Sequence, residues 1–433
     1  MPSFVTYKTK VKAVAVKTFL NLFMTAKPRA NILPGMKTRK AAMFFILITV
    51  TLDMIGLGLV MPSLPDIMRR FTSDEVQIST LFGYFISIYA LMQFAASPII
   101  GSLSDRFGRR PVLLVSLIVA AADYVLMAYA PSLTILFIGR VIAGLTGANI
   151  TVAMAYIADV SDDSNRSKNF GLVGAAFGLG FIIGPALGGI LGHYDAHYPF
   201  LFAAVLNLLN FLFGLFILPE SHPKERRRPV ELKQLNPLHS LQKVFRIEGL
   251  VALLLVYFCF QMAGQTHGSI WVLYTEKRFG WSTAEVGYSL ALVGILSAIS
   301  QGVLTKYVVD WLGEIKTVFY ASLGYGVCFI LFGAASQGWM FYALIVLTAI
   351  FWVEGPALQS VITNKTPPEQ QGELQGSLVS LASLSAIANP LITTKLFAYF
   401  SSDTSPIAIP GAPYYFAAAV CFLGFIIMTR VKA

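Results

Sequence analysis

The sequence contains little charge. Asp, Glu, Lys and Arg together make up only 12% of its 433 residues, whereas 56% of the residues are hydrophobic. Ordinary soluble domains carry roughly twice that share of charged residues, and the mean hydropathy of this chain is +0.68. The composition therefore excludes a typical water-soluble domain and indicates an integral membrane protein.

Acidic residues are absent from the start of the chain, where none precedes Asp53. Residues 1–40 instead carry nine Lys and Arg, which predicts a basic cytoplasmic tail. Val11 to Met24 is weakly amphipathic and suits the surface of an anionic leaflet; the alternative is that translation starts at Met36. A cleaved signal peptide is not expected, because the first apolar run begins too late and is too long.

Cysteine is equally scarce. Cys259, Cys328 and Cys421 all lie in apolar segments without the paired spacing of a disulfide framework or metal site. No Ser-His-Asp order, metal-ligand cluster or phosphate-binding loop falls on one membrane face. The sequence therefore predicts neither an enzyme nor a cofactor or metal. The net charge of +10 comes from loops between apolar runs, so no nucleic-acid partner is expected.

What the chain has instead is about twelve apolar runs, each about long enough to cross a bilayer as a helix. They are Ala41 to Met61, Leu81 to Ile100, Val112 to Ala130, Leu133 to Ile157, Phe170 to Leu191, Phe200 to Leu218, Leu250 to Tyr274, Val286 to Leu304, Val318 to Ala335, Trp339 to Ile362, Leu374 to Phe400 and Tyr414 to Met428. The fold class is therefore predicted to be an all-α membrane protein.

Basic residues concentrate in the loops after the second, fourth, sixth and eighth runs. The opposite side holds chiefly Arg69, Arg70, Lys277 and Arg278. Since Lys and Arg are enriched in cytoplasmic loops, both termini are expected in the cytoplasm.

One polar stretch, Gly101 to Pro111, is specific in its chemistry. Gly101 allows a neighbouring helix to approach, Asp105 can face a nearby arginine or helix N-terminus, and Gly108 allows a sharp turn. Three arginines complete the stretch: Arg106, Arg109 and Arg110. We predict a tight interhelical gating loop; the alternative is that the arginines are only positive-inside anchors.

This stretch resembles the signature loop G-x-x-x-D-R-x-G-R-R of the major facilitator superfamily. Arg140 to Gly144 is similar to the R-x-x-x-G signature of that family's fourth helix. The resemblance implies two six-helix bundles, 41–218 and 247–433, joined by a central cytoplasmic loop, 219–246. Gly83-Tyr84 and Asp105 to Gly108 also recur in the second half as Gly287-Tyr288 and Asp310 to Gly313, as expected for a parallel repeat with a substrate site at midplane.

A glycine-rich segment resembles the fifth-helix motif of antiporters in this family. Its residues are Gly174, Gly178, Gly184, Pro185, Gly188 and Gly189. Such glycines allow close helix packing and the proline relaxes backbone hydrogen bonding, which gives a bendable interface. Simple packing is the alternative, but within the family the motif favours export.

The resemblance narrows to the tetracycline efflux branch of the drug:proton antiporters. The matching segments are Asp53 to Pro65, Gly101 to Leu114, Ala122 to Tyr124, Tyr156 to Asp159, Pro219 to His222, Trp271 to Glu276 and Gln371 to Gly376. Two features depart from that branch. The essential ninth-helix acid is replaced in Leu323 to Gly326, and the eighth-helix histidine is replaced near Ser297.

Few ionisable groups lie inside the apolar runs, and such groups are costly in a bilayer unless they serve a function. We predict that four of them couple protons: Asp53, Asp123, Arg140 and Glu354. Arg140 stays charged, so it can influence a neighbouring acid without titrating itself. The alternatives are a structural pair between Asp53 and Arg140, and a structural carboxylate at Glu354.

Uncharged polar groups in the runs are candidates for substrate binding: Gln93, Asn149, Gln261, Gln265, His267 and Tyr325. Gln261 and Gln265 share a helix face because they are one turn apart. Interhelical hydrogen bonding remains the alternative for all of these residues.

We therefore predict a proton-coupled antiporter in a bacterial inner membrane that exports small, partly apolar organic compounds by alternating access. The expected partners are a small-molecule substrate, protons and membrane lipid, and the expected state is a monomer. Two alternatives remain: export of a native metabolite such as a siderophore or modified sugar, and a transporter-like receptor.

Overall fold

The structure is a computed structural model that describes residues 36–162, 166–223, 225, 227, 250–367, 370–402 and 405–430. Those residues form helices and short connections without a strand. Most of the predicted N-terminal tail and of the central loop lies outside the described residues.

The described residues of the first half form eight helices. They are α1 (Met36–Val60), α2 (Leu64–Arg69), α3 (Glu75–Phe107), α4 (Arg109–Ala128), α5 (Leu133–Gly147), α6 (Asn149–Val160), α7 (Arg166–Tyr194) and α8 (Tyr198–Ile217).

The described residues of the second half form the remaining helices. Its helices are α9 (Val251–Phe279), α10 (Thr283–Ile299), α11 (Thr305–Leu312), α12 (Glu314–Ala334), α13 (Gly338–Ala349), α14 (Glu354–Asn364), α15 (Gln371–Phe400) and α16 (Ala412–Met428). A π-helical turn, Ser300–Leu304, joins α10 to α11.

Ten spans among the described residues are long and apolar enough to cross a membrane, three of them made of consecutive helices. The shorter apolar helix α16 and the 29-residue α9, which carries Gln261, Gln265 and His267, bring the total to the predicted twelve. The prediction of an all-α membrane fold is confirmed. The predicted boundaries miss the breaks: the fourth, eighth and tenth spans each change helix partway.

The predicted Gly101 to Pro111 loop is almost entirely helical. Helix α3 continues to Phe107 and α4 begins at Arg109, so Gly108 alone makes the connection. This is possible because Gly108 has φ +105°, a region that residues with a Cβ rarely adopt. Gly313 makes the same junction between α11 and α12 with φ +78°, which matches the predicted internal repeat.

The two bundles meet along two related helix pairs. In one, a Cβ built on Gly83 of α3 would lie 2.8 Å from the Pro390 carbonyl oxygen of α15. In the other, a Cβ on Gly287 of α10 would lie 2.8 Å from Gly189 Cα of α7. Glycine is required at these positions because the backbones touch.

The contact between α7 and α10 ends partway along the helices. Ile182, Pro185 and Gly189 of α7 are covered by α10, whereas no described atom lies within 4 Å of a Cβ built on Gly178, one turn earlier on the same face. Gly302, in the π-helical turn after α10, is equally uncovered within the described part of the chain. The bundles therefore pack at one end and separate towards the end that carries the Gly108 junction.

Candidate functional site

Close packing of α3 and α5 places Arg140. Gly144 and Gly147 lie one and two turns after Arg140, and Cβ atoms on them would come within 2.6 Å of Met92 Cβ and 2.7 Å of the Tyr89 hydroxyl oxygen. The helices can therefore approach until the Arg140 guanidinium lies 4.7 Å from the centre of the Tyr89 ring. Only 3% of Arg140 is exposed, and such a cation–π contact partly replaces its lost hydration.

Asp53 lies in the second half of α1 and lines the same cavity as Arg140. Its Oδ2 accepts a hydrogen bond of 2.8 Å from the Asn149 side-chain amide. The contact with Asn149 was not part of the prediction for Asp53, because no sequence pattern links residues 96 positions apart.

Asp123 occupies a drier position on α4. It is 3% exposed and its Oδ1 receives no hydrogen bond from the described residues. A Cβ on Gly139 of α5 would lie 3.2 Å from that oxygen, so the acid is held between α4 and α5. A buried carboxyl oxygen without a donor is costly and is a good candidate for binding a proton.

These side chains line a cavity of about 560 Å³ between the bundles, a volume within the usual range for small-molecule sites. Besides the three charged residues, the N-terminal half contributes Tyr89, Gln93, Tyr124, Asn149 and Asn207, and the C-terminal half contributes Gly376, Val379, Ser380 and Ser383. Two of the predicted substrate-binding residues, Gln93 and Asn149, are thus brought together with the predicted coupling group.

The other predicted site residues lie elsewhere in the second half. The His267 ring is surrounded by aromatic rings. Its centre lies 4.9 Å from the centre of the Phe329 ring and 5.2 Å from that of the Trp271 ring. Neither nitrogen of the His267 ring has a described hydrogen-bond partner. Tyr325 packs on Phe329 at 4.5 Å. Gln261 and Gln265 are half-buried on α9 and do not line this cavity.

Glu354 begins α14, beyond the break in the tenth span. It is 6% exposed, and its Oε1 has no described hydrogen-bond partner. Its electrostatic neighbours are Tyr257, Tyr325 and Cys421. The structure places it in the core of the second half rather than on the cavity wall, so its predicted coupling role remains a prediction.

At the Gly108 junction, Arg109 is the centre of a polar network. Its guanidinium contacts Asp105 at 2.6 Å and Asp159, at the end of α6, at 3.2 Å. Arg110 donates to the Leu215 carbonyl at 2.8 Å, whereas Arg106 is exposed. Arg109 and Arg110 thus hold helices together in addition to carrying charge.

Glu220 is a member of this network that sequence reasoning missed as a functional residue. Its Oε1 accepts from the backbone N–H groups of Arg109 and His222 at 2.9 and 3.0 Å, which satisfies an orphan donor at the start of α4. The resemblance of Pro219 to His222 to known transporters was the available signal.

The antiporter-like glycines serve two interfaces. Cβ atoms on Gly184 and Gly188 would lie within 2.8 Å of α1 backbone atoms, whereas Gly189 faces α10. A Cβ built on Gly174 or Gly178 would meet no described atom of another segment within 4 Å. The segment therefore forms packed contacts in its second part and faces the gap between the bundles in its first part.

A polar clasp, also missed from the sequence, joins the bundles at the packed end. Arg69 contacts Asp66 and Glu276 at 2.8 Å each and Glu75 at 3.0 Å, while Thr283 donates to Asp66 at 3.1 Å. Burial lowers the pKa of Arg69, but the hydrogen bonds and charges of Glu75 and Glu276 outweigh it and raise that pKa. Glu276 and Thr283 belong to the second half, so the clasp connects the two bundles.

A family model described as Major Facilitator Superfamily matches residues 46–390. Together with the twelve spans, the paired junctions and the cavity between the bundles, this match settles the class. The chain belongs to the Major Facilitator Superfamily, and it is therefore a multi-pass membrane transporter with a small-molecule substrate.

Individual proteins within this superfamily are also similar to the chain. The chain is 44% identical over 375 residues to the class C tetracycline resistance protein of Escherichia coli, covering 86% of this chain and 94% of that protein. It is 44% identical over 361 residues to the class G protein of Vibrio anguillarum, covering 83% and 91%. Among solved structures, the human organic anion transporter MFSD10 aligns with a TM-score of 0.66 at 25% identity, covering 90% of this chain and 99% of that one.

Proposed function

We propose that this protein exports tetracycline-like and other partly apolar drugs from a bacterial cell in exchange for protons, by alternating access. The observation that carries the proposal is the cavity in which Asp53, Asp123 and Arg140 face a drug-sized space between the bundles. The relatives named for tetracycline resistance support the substrate class.

In this proposal the end with the Gly108 junction faces the cytoplasm, because the basic loops lie at that end. The cavity then opens to the cytoplasm and takes up the drug while Asp53 is ionised. After the bundles rock, a proton from the periplasm binds Asp53 and the drug leaves. The bundles then rock back, and Asp53 releases the proton to the cytoplasm. Asp123 and Glu354 are proposed as additional proton-binding groups, and Arg140 as the fixed charge that acts on the acids of the cavity, Asp53 and Asp123.

Proton-coupled export remains possible without the ninth-helix acid, which is replaced in Leu323 to Gly326. The cavity already holds two carboxyl groups from α1 and α4, so proton exchange does not require a third acid from the second half. We propose a monomer in the inner membrane as the working unit.

The test uses inverted vesicles whose lumen has been acidified by respiration. Adding tetracycline with magnesium should release protons from the lumen in vesicles with the wild-type protein, seen as recovery of a quenched acridine dye. Asp53→Asn keeps the shape of the side chain and removes the proton site, so this variant should show no drug-dependent recovery. Equal recovery in Asp53→Asn, or no response of the folded wild type to a panel of drugs, contradicts the proposal.

A further inference from the structure

The fourth span is interrupted at the level of the cavity. Helix α5 ends at Gly147, and Thr151 donates its backbone N–H to the carbonyl of Ala148, only three residues back, at 3.1 Å. The Gly147 carbonyl accepts instead from the Gln93 side-chain amide of α3 at 3.1 Å. A polar side chain from another helix therefore satisfies the carbonyl at the break, as membrane interiors require.

The interruption determines where Asn149 points. Asn149 is the first residue of α6 and is 5% exposed, and its amide donates to Asp53 Oδ2 at 2.8 Å. A donor to one carboxylate oxygen stabilises the ionised form of that group. The bond therefore favours the form of Asp53 that has released its proton.

We infer that Asn149 is the positioning residue of the Asp53 proton site, and that Gln93 stabilises the break that aims it. This inference rests on the proposed proton-coupled export and revises the predicted role of both residues, from substrate contacts to supports of the coupling group. A proton on Asp53 removes the negative charge that strengthens this hydrogen bond, so the Asn149 amide is held less tightly. The fourth span thus couples the protonation of Asp53 on α1 to the position of Asn149 in the cavity wall.

Other groups face the same space from each neighbouring helix: Tyr89 on α3, Asp123 and Tyr124 on α4, Arg140 on α5 and Asn207 on α8. None of them is altered in the variants below. A shift in the Asp53 titration midpoint that depends on the Asn149 amide can therefore be separated from the effect of these other groups, which is the same in every variant.

The test measures the proton on Asp53 directly, without a drug. Full-length protein in lipid nanodiscs is titrated by infrared spectroscopy, and the carboxylic-acid band lost in Asp53→Asn is assigned to Asp53. Asn149→Leu keeps the approximate size but removes the donor. We expect the midpoint of the Asp53 band to move to higher pH, with proton affinity raised about tenfold, the scale of one hydrogen bond to a charged group. Gln93→Leu should move it in the same direction by less.

Asn210→Leu is the matched control. Asn210 is another buried asparagine that contacts α1, accepting from Thr49 at 3.1 Å one turn before Asp53. Its replacement should leave the Asp53 midpoint unchanged. An unmoved midpoint in Asn149→Leu, an equal shift in Asn210→Leu, or the absence of a titrating Asp53 band overturns the inference. Asn149→Ala provides the same readout if the leucine variant yields too little folded protein. Because no drug is present, failure here is distinct from failure to export tetracycline.

Discussion

The two bundles share a fold but differ in chemistry. Gly108 and Gly313 make the same one-residue junction with positive φ. Around the first, Arg109 is 7% exposed among Asp105, Ser104 and Asp159. Next to the second, Glu314 accepts hydrogen bonds from Ser360 and Asn364 of α14. The backbone geometry of the repeat has been kept while its charges have changed.

The same contrast appears in the cavity. All of its charged lining residues come from the first bundle, whereas the second contributes glycine, valine and serines. The buried acid of the second bundle, Glu354, lies away from that wall. The comparison indicates that the proposed proton exchange depends mainly on the first bundle.

The largest effect is expected from Arg140→Gln, which removes the only buried cation of the described cavity lining. Export should fall by roughly 5- to 150-fold, because deleting one member of a buried charged group costs about 1–3 kcal/mol. The measurement is drug-driven proton release from inverted vesicles at matched protein levels. Lys395→Gln is the control in the second bundle, since Lys395 contacts the Tyr84 ring at 5.6 Å and lies outside the cavity lining. Equal losses of proton release in both variants would contradict the proposal that proton exchange depends mainly on the first bundle.

An intermediate effect is expected from Glu276→Gln, which removes the ion pair that joins the bundles at the packed end. A partly exposed pair contributes at most about 1 kcal/mol, so the population open at that end should rise by up to about fivefold. Glu75→Gln is the matched control, because Glu75 pairs with the same Arg69 from within the first bundle. It should leave the population unchanged.

The readout is the distance between spin labels on exposed positions of the two bundles. Tyr194 and Trp339, which are 76% and 64% exposed, report on the packed end, and Phe216 and Trp311, at 68% and 82%, report on the other. The three buried cysteines, Cys259, Cys328 and Cys421, are replaced first so that they do not react. A longer distance at the packed end in Glu276→Gln alone supports the conclusion that the Arg69–Glu276 pair holds the bundles together there. Identical distances in both variants exclude that role for the pair.

The smallest effect is expected from Glu354→Gln. Its Oε1 is buried without a described partner, so the neutral amide can replace a protonated carboxyl with little loss. Export at neutral pH should stay within about twofold, a difference of less than 0.5 kcal/mol, while its pH dependence becomes less steep. The pH profile of proton release from vesicles tests this. An unaltered profile at every pH assigns Glu354 to structure, and a loss as large as that of Arg140→Gln contradicts the asymmetry.

The sequence by itself determined the membrane class, the twelve spans and the internal repeat, because hydrophobic length and glycine placement are local properties of the chain. It also singled out Asp53, Asp123 and Arg140 as candidates for proton coupling, since an ionisable group within an apolar run stands out without reference to any neighbour. The family resemblance located the Gly108 junction, although not its one-residue length.

Only the tertiary structure decided which of these groups meet. Asn149 reaches Asp53 because a break in the fourth span, supported by Gln93, redirects the chain, and hydropathy does not register such a break. Arg69 and Glu276 form a clasp across 207 residues of sequence, and Glu354 lies outside the cavity lining. The physical reason is the same in each case: these contacts depend on how helices rotate and cross, which is fixed by side-chain packing between distant segments.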